Sequence, residues 1–263
     1  MLKNLIKYDL KSTMKFLVIF YILAIFFSVL TRIFLGIENS LIMDIIGKVF
    51  SGVTISMIFN ILINGLMRLW IRFKSNFYGD ESYLTHTLPV DKKTQYLSKA
   101  VCAVITTFTS FIVIALVLFI AYYSKENIEL VKSILLPVAT AYNSTIVKIL
   151  LAFLFICFLE ITNGLQAGYT GIILGHKKQG AKIGYSVLFG FITYFATQIF
   201  IVAIVFIVAL FNKDIMNLFY TTEMINVDII KLLIYLAITL YTLTLVILYF
   251  VNLKLFKKGV NVD

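Results

Sequence analysis

Residues 100–124 read AVCAVITTFTSFIVIALVLFIAYYS, twenty-five positions without a charged side chain. At 1.5 Å per residue a helix of that length reaches about 37 Å, enough to cross a hydrocarbon core of about 30 Å. Lipid offers the backbone no hydrogen-bond partner, so a segment this apolar must satisfy its own amides as a helix. A barrel strand would alternate apolar and polar residues, and this run is apolar on every side. Further uncharged stretches lie at 16–31, 49–67, 183–212 and 232–253, and 149–175 is broken only by Glu160. The fold class expected is all-α, a polytopic membrane protein of six transmembrane helices. Its spans are placed at about 16–37, 46–70, 99–123, 146–175, 183–211 and 230–253.

Composition agrees. Of 263 residues 61% are hydrophobic and 14% charged, against roughly 45–50% and about 25% in soluble domains. The net charge of +10 would fit nucleic acid, but its placement fits a membrane better. With the six spans set, Lys3, Lys7, Lys11 and Lys15 precede the first. Arg68, Arg72, Lys74, Lys92, Lys93 and Lys99 fall between the second and third. Lys177, Lys178, Lys182, Lys254, Lys257 and Lys258 lie on the same side, sixteen of the 23 basic residues in all. The positive-inside rule then puts both termini in the cytoplasm, with anionic lipid headgroups as neighbours and no nucleic acid. The apolar stretch after the N-terminus is too long for a signal peptide and no small-residue cleavage site follows it, so it is expected to be a retained span.

Before that span, Leu2, Leu5, Ile6 and Leu10 recur at helical spacing between the four lysines. This is the pattern of an amphipathic helix over 1–15 lying in the headgroup layer. The outer loops, about 38–45, 124–145 and 212–229, are short; Pro137 is placed in the second, and a short surface helix in the third. No internal repeat or linker divides the chain, which is expected to form a single transmembrane domain over 1–263, with 71–98 as a cytoplasmic segment. Cys102 and Cys157 fall inside apolar spans, where packing is their expected role. His86 and His176 come from different loops and make no metal-ligand pattern.

The polar residues within spans are few. Glu160 sits near the middle of the fourth, where a charge costs at least about 2.5–3.5 kcal/mol. Asn163 and Gln166 follow on the same side, with Gly164, Gly168, Gly171 and Gly175 as a ridge that allows close helix contact. Asn60 and Asn64 stand one turn apart in the second span. These five polar residues read either as helix–helix contacts or as the lining of a translocation path or subunit interface. Gln198, alone in the fifth span, reads as a helix–helix contact. Arg32 and Lys48 are expected to reach the outer interface as snorkelling side chains.

Residues 71–99, IRFKSNFYGDESYLTHTLPVDKKTQYLSK, form the longest polar stretch. Asp80, Glu81 and Ser82 supply helix N-terminal chemistry. Tyr83, Leu84, Thr87 and Leu88 make an apolar face, and Pro89 stops the helix. Such a short amphipathic helix suits either resting on the membrane surface or docking into a groove on a soluble partner. FYGDESYLTHTLPVDKKTQYLSK resembles the loop between the second and third spans of ABC-2 type ABC transporter permeases. In that family an acidic residue, an L-x-x-x-L-P element and a basic run recur here; in this chain they are Glu81, Leu84 to Leu88 with Pro89, and Lys92, Lys93 and Lys99. The resemblance implies an exporter permease of a bacterial cell membrane, working with a second permease and a separate ABC ATPase. In it Phe77, Tyr78, Asp80, Glu81, Tyr83, Leu84, Leu88 and Pro89 would form the ATPase-coupling helix. The chain carries no Walker sequence, so it is expected to be no enzyme and to bind no cofactor itself, ATP and Mg residing on the ATPase. The cargo expected is an amphipathic peptide, lipid or drug, with antimicrobial peptides the family-level analogy. Other readings are an ion-coupled secondary transporter using Glu160, a non-transporting membrane partner or sensor subunit, and an intramembrane enzyme, for which no catalytic cluster is discernible.

Overall fold

In a computed structural model of the chain the described residues are 1–37, 40–141, 143–212, 215–216 and 227–258. Among them there is no strand, and six helices are long and apolar enough to cross a membrane. The chain divides into two compact units, with the boundary between Glu129 and Leu130.

The first unit is built from α1 (Leu2–Leu35), α2 (Leu41–Tyr78), α3 (Ser82–Thr87) and α4 (Lys92–Tyr122). Where a separate interfacial helix is expected over 1–15, α1 instead runs without a break from Leu2 into the first span. No glycine or proline interrupts it. Its amphipathic pattern has a second cause: Lys3, Lys7, Lys11 and Lys15 are exposed, while Asp9, Thr13, Leu17, Tyr21, Ala24, Ser28 and Thr31 form one buried stripe. Leu17, Tyr21 and Ala24 pack with Ile61 of α2 and Val117 of α4 as an apolar core. Small hydroxyls let the helices approach and also bond them: Tyr21 Oη and Ser110 Oγ lie 2.8 Å apart, and Thr31 Oγ1 and Thr54 Oγ1 2.9 Å. α2 starts earlier than expected because Ser40 Oγ caps it, accepting from Met43 N at 3.4 Å. At the far end of α1, Arg32 does more than snorkel: its Nη1 donates to the carbonyl of Tyr123, the residue that closes α4. Lys48 pairs with Asp44 on the surface at 2.7 Å.

The stretch expected as the outer loop 124–145 holds a further helix, α5 (Lys125–Ala141). Ser124 begins it, its Oγ accepting from Asn127 N at 3.1 Å and its carbonyl from Ile128 N. Pro137 therefore lies within a helix rather than a loop.

The second unit contains α6 (Ile146–Gly175), α7 (Lys182–Phe211) and α8 (Val227–Lys257). The glycine ridge of α6 packs against α7 as expected. A Cβ built at Gly171 would stand 2.5 Å from Gly190 N, and one at Gly175 would stand 2.5 Å from Ser186 N, so backbone meets backbone. The other face of α6 meets α8 through polar side chains. Asn252 Nδ2 donates to the Gln166 carbonyl and to Gln166 Oε1 at 3.0 and 3.1 Å, and Thr170 Oγ1 donates to Asn252 Oδ1 at 2.7 Å. The surface helix expected between 212 and 229 falls mostly outside the described residues.

Candidate functional site

The short helix α3 is where the first unit departs most from plain packing. α2 ends at Tyr78, and Ser82 N donates to the Gly79 carbonyl to turn the chain. Thr85 N and Thr85 Oγ1 both donate to the Glu81 carbonyl. Leu88, ahead of Pro89, is extended at φ −64 and ψ 135, the conformation a following proline imposes. Asp91 then begins α4, and the Thr94 hydroxyl bonded to it holds its carboxyl below the ordinary range.

α3 begins and ends where its sequence signals place it, and Tyr83, Leu84, Thr87 and Leu88 all face outward. Tyr83 is 65% exposed, Leu84 74% and Leu88 44%. Asp80 and Pro89 are exposed beside them. Phe77 and Tyr78, grouped with these residues on the resemblance, point the other way. Phe77 is wholly buried against Phe73, and Tyr78 is buried with it, so both support the helix from beneath.

Glu81 departs from its expected capping role. Its side chain makes no bond to the α3 amides and turns back to α2. Arg72 Nη1 lies 3.2 Å from both of its oxygens, and Asn76 Nδ2 donates to Oε2. Two more tethers hold the segment. His86 Nε2 bonds the Phe77 carbonyl at 3.2 Å, and buried Gln95 donates from α4 to the carbonyls of Thr85 and Val90 at 3.2 Å each. An apolar, outward surface is thus fixed to two long helices, α2 and α4, by polar bonds behind it.

Behind Glu81 the bonds continue. Lys99 Nζ stands 2.7 Å from both carboxylate oxygens of Asp9 and donates to Asn76 Oδ1. Arg72 Nε faces Asp9 Oδ1 at 3.4 Å. The Lys99 ammonium also lies 5.5 Å from the centre of the Phe77 ring. In the topological reading Arg72 and Lys99 count as loop charges; here they are internal, and Asp9 and Asn76 carry no motif that marks them. One signal for Asp9 was present. It lies two residues from Lys7 and from Lys11, about 160° around the helix from each, so its carboxylate must face away from the lysine row.

The polar residues of the spans do not converge on one point. Asn60 Nδ2 donates to Ser56 O, and Asn64 Nδ2 to Asn60 O and Oδ1, all within α2. Glu160 Oε1 accepts from Tyr194 Oη at 2.5 Å and Gln198 Nε2 at 3.0 Å, both on α7. Asn163 donates to the Tyr241 carbonyl on α8 at 2.9 Å, and Gln166 meets Asn252. Asn163 and Gln166 are buried and act as helix contacts, as does Gln198. Among the described residues no lysine or arginine pairs with Glu160. Tyr194 and Asn252 are not legible as partners because aromatic and amide residues in a span carry no positional signal of their own, and Tyr241 meets Asn163 through a backbone carbonyl.

By class this is a multi-pass helical membrane protein. No family model, curated protein or solved structure matches the chain.

Proposed function

We propose that the chain is the permease subunit of an ATP-driven exporter in a bacterial cell membrane, with α3 as the cytoplasmic contact for a separate ABC ATPase. The observation that supports this most is the pairing of opposites in one segment. Tyr83, Leu84 and Leu88 are exposed on a six-residue helix, yet that helix is braced by Glu81, His86 and Gln95. A connector resting on lipid needs no such bracing, whereas a surface that receives force does. A second permease, the same chain or a related one, would complete the path. Lipids surround the complex, and ATP with Mg would be bound and hydrolysed by the ATPase. The cargo class that suits these apolar helices is an amphipathic peptide, lipid or drug.

The test is ATP hydrolysis by the complex purified from its native membrane into nanodiscs. Leu84→Asp is expected to abolish cargo-stimulated hydrolysis while the chain still inserts. Unchanged stimulation in that variant, or a complex without a nucleotide-hydrolysing subunit, would overturn the proposal.

One observation favours a second reading. Glu160 is held by neutral donors with no basic partner among the described residues, which is how a coupling-ion site in a secondary transporter would look. Transport that follows a proton gradient and is indifferent to ATP would select it.

A further inference from the structure

We propose that Asp9, Arg72, Asn76 and Lys99 are positioning residues that hold α3 through Glu81, so that the outward helix and the first turns of α1 move as one body. The five residues form a closed ring. Lys99 bonds Asp9, Asp9 faces Arg72, Arg72 bonds Glu81, Glu81 accepts from Asn76, and Asn76 accepts from Lys99. Its members come from α1, α2, the residue that opens α3, and α4. Two acids meet two bases, so the ring is neutral as a whole.

Burial makes such a ring costly unless every member is paired. Asp9 is 5% exposed and Lys99 7%. Removing charges from water costs several kcal/mol per ion, and replacing a buried pair by apolar residues is often neutral or stabilising. Cohesion alone would therefore have been met by more of the apolar packing found at Leu17 and Val117. What the ring adds is direction, because each hydrogen bond fixes an angle as well as a distance. α3 needs that direction from outside. Six residues are far too few to be stable alone, since helix nucleation is unfavourable and isolated helices are marginal below about 12–15 residues. His86 ties α3 to α2, and Gln95 ties it to α4. From Glu81 the described bonds reach α1 by two routes, through Arg72 and through Asn76 with Lys99, and both end at Asp9. Asp9 hydrogen-bonds Lys99, pairs with Arg72 by charge and makes no described bond to α3, so the polar link from Asp9 to α3 runs along the ring.

The consequence, that force received at α3 displaces α1, rests on the docking role proposed above; the test does not. Backbone hydrogen exchange is measured on the full chain in lipid nanodiscs, with no ATPase present. Asp9→Asn is expected to speed exchange over 82–87 by about tenfold while α4 beyond residue 105 stays protected. Lys99→Met is expected to act in the same way. Asp9→Glu, which keeps the charge, is expected to return α3 towards the parent rate, and Lys48→Met, in the surface pair with Asp44, to leave it alone. Unchanged α3 exchange in both Asp9→Asn and Lys99→Met would overturn the proposal. So would a uniform rise over α1, α2 and α4, which would make the ring ordinary packing. Since no partner enters the measurement, its failure and a failure of the docking assay are separate results.

Discussion

Lys99 on α4 and Asp9 on α1 are ninety positions apart in the chain, yet the lysine Nζ lies 2.7 Å from both oxygens of the carboxylate. Neither side chain reaches solvent to any useful extent. Lys99→Met would leave Asp9 buried beside Arg72 alone, and a loss of about 3–5 kcal/mol is expected. Removing both charges, as Asp9→Leu with Lys99→Met, leaves Arg72 and Glu81 to neutralise each other, so the double variant should be more stable than either single one. Unfolding in detergent followed by circular dichroism gives the comparison. Simple addition of the two single losses would mean that the pair is not coupled.

The segment around α3 should separate stability from surface. Phe77 is wholly buried and Leu84 is exposed, although only six residues lie between them. Phe77→Ala is expected to cost about 3–5 kcal/mol. Leu84→Ala should fall within about 0.5 kcal/mol of the parent. Both values come from the same unfolding assay, and a large loss at Leu84 would show that α3 is covered.

Two glycines of α6 should behave unlike one of α2. A Cβ at Gly171 meets the backbone of Gly190 at 2.5 Å, which no rotamer change relieves, whereas a Cβ at Gly52 finds nothing within 4 Å. Gly171→Ala and Gly175→Ala are expected to destabilise by about 1–3 kcal/mol, the usual range for overpacking. Gly52→Ala should be neutral, or stabilising by up to about 1 kcal/mol, because alanine suits a helix interior better. Thermal unfolding of the three variants decides it.

Glu160 can be probed through its donors. Glu160→Gln keeps an oxygen for Tyr194 and Gln198, and stability should change by less than about 1.5 kcal/mol. Glu160→Leu strands both donors and should cost about 1–3 kcal/mol. A transport assay on the glutamine variant, folded but without an ionisable group, then separates an ion-coupling role from a helix contact.

Apolar runs and the proline after Leu88 make the six long helices and α3 legible from the sequence, since each depends on a local pattern. What stayed hidden depends on partners distant in the chain. Arg72 and Lys99 look like loop charges until Asp9 is brought between them. Phe77 and Tyr78 look like part of an exposed motif until Phe73 is packed against them. The lysine row of α1 reads as a headgroup-facing helix because periodicity reports that one side is apolar but not what covers it. The helix over Lys125–Ala141 is not legible because the stretch between the third and fourth spans is too polar to read as a span, and the serine that opens the helix is a weak signal alone.

The uninterrupted course of α1 has a consequence of scale. Thirty-four helical residues measure about 51 Å, and the thirty-eight of α2 about 57 Å, against a hydrocarbon layer of about 30 Å. Tilts of the usual 0–40° cannot hide that surplus. The charged ends must reach past the hydrocarbon as a stiff mast, with Asp9 and Arg72 in its flank. Any displacement of that end is carried into the span with a leverage set by helix length rather than by bilayer thickness.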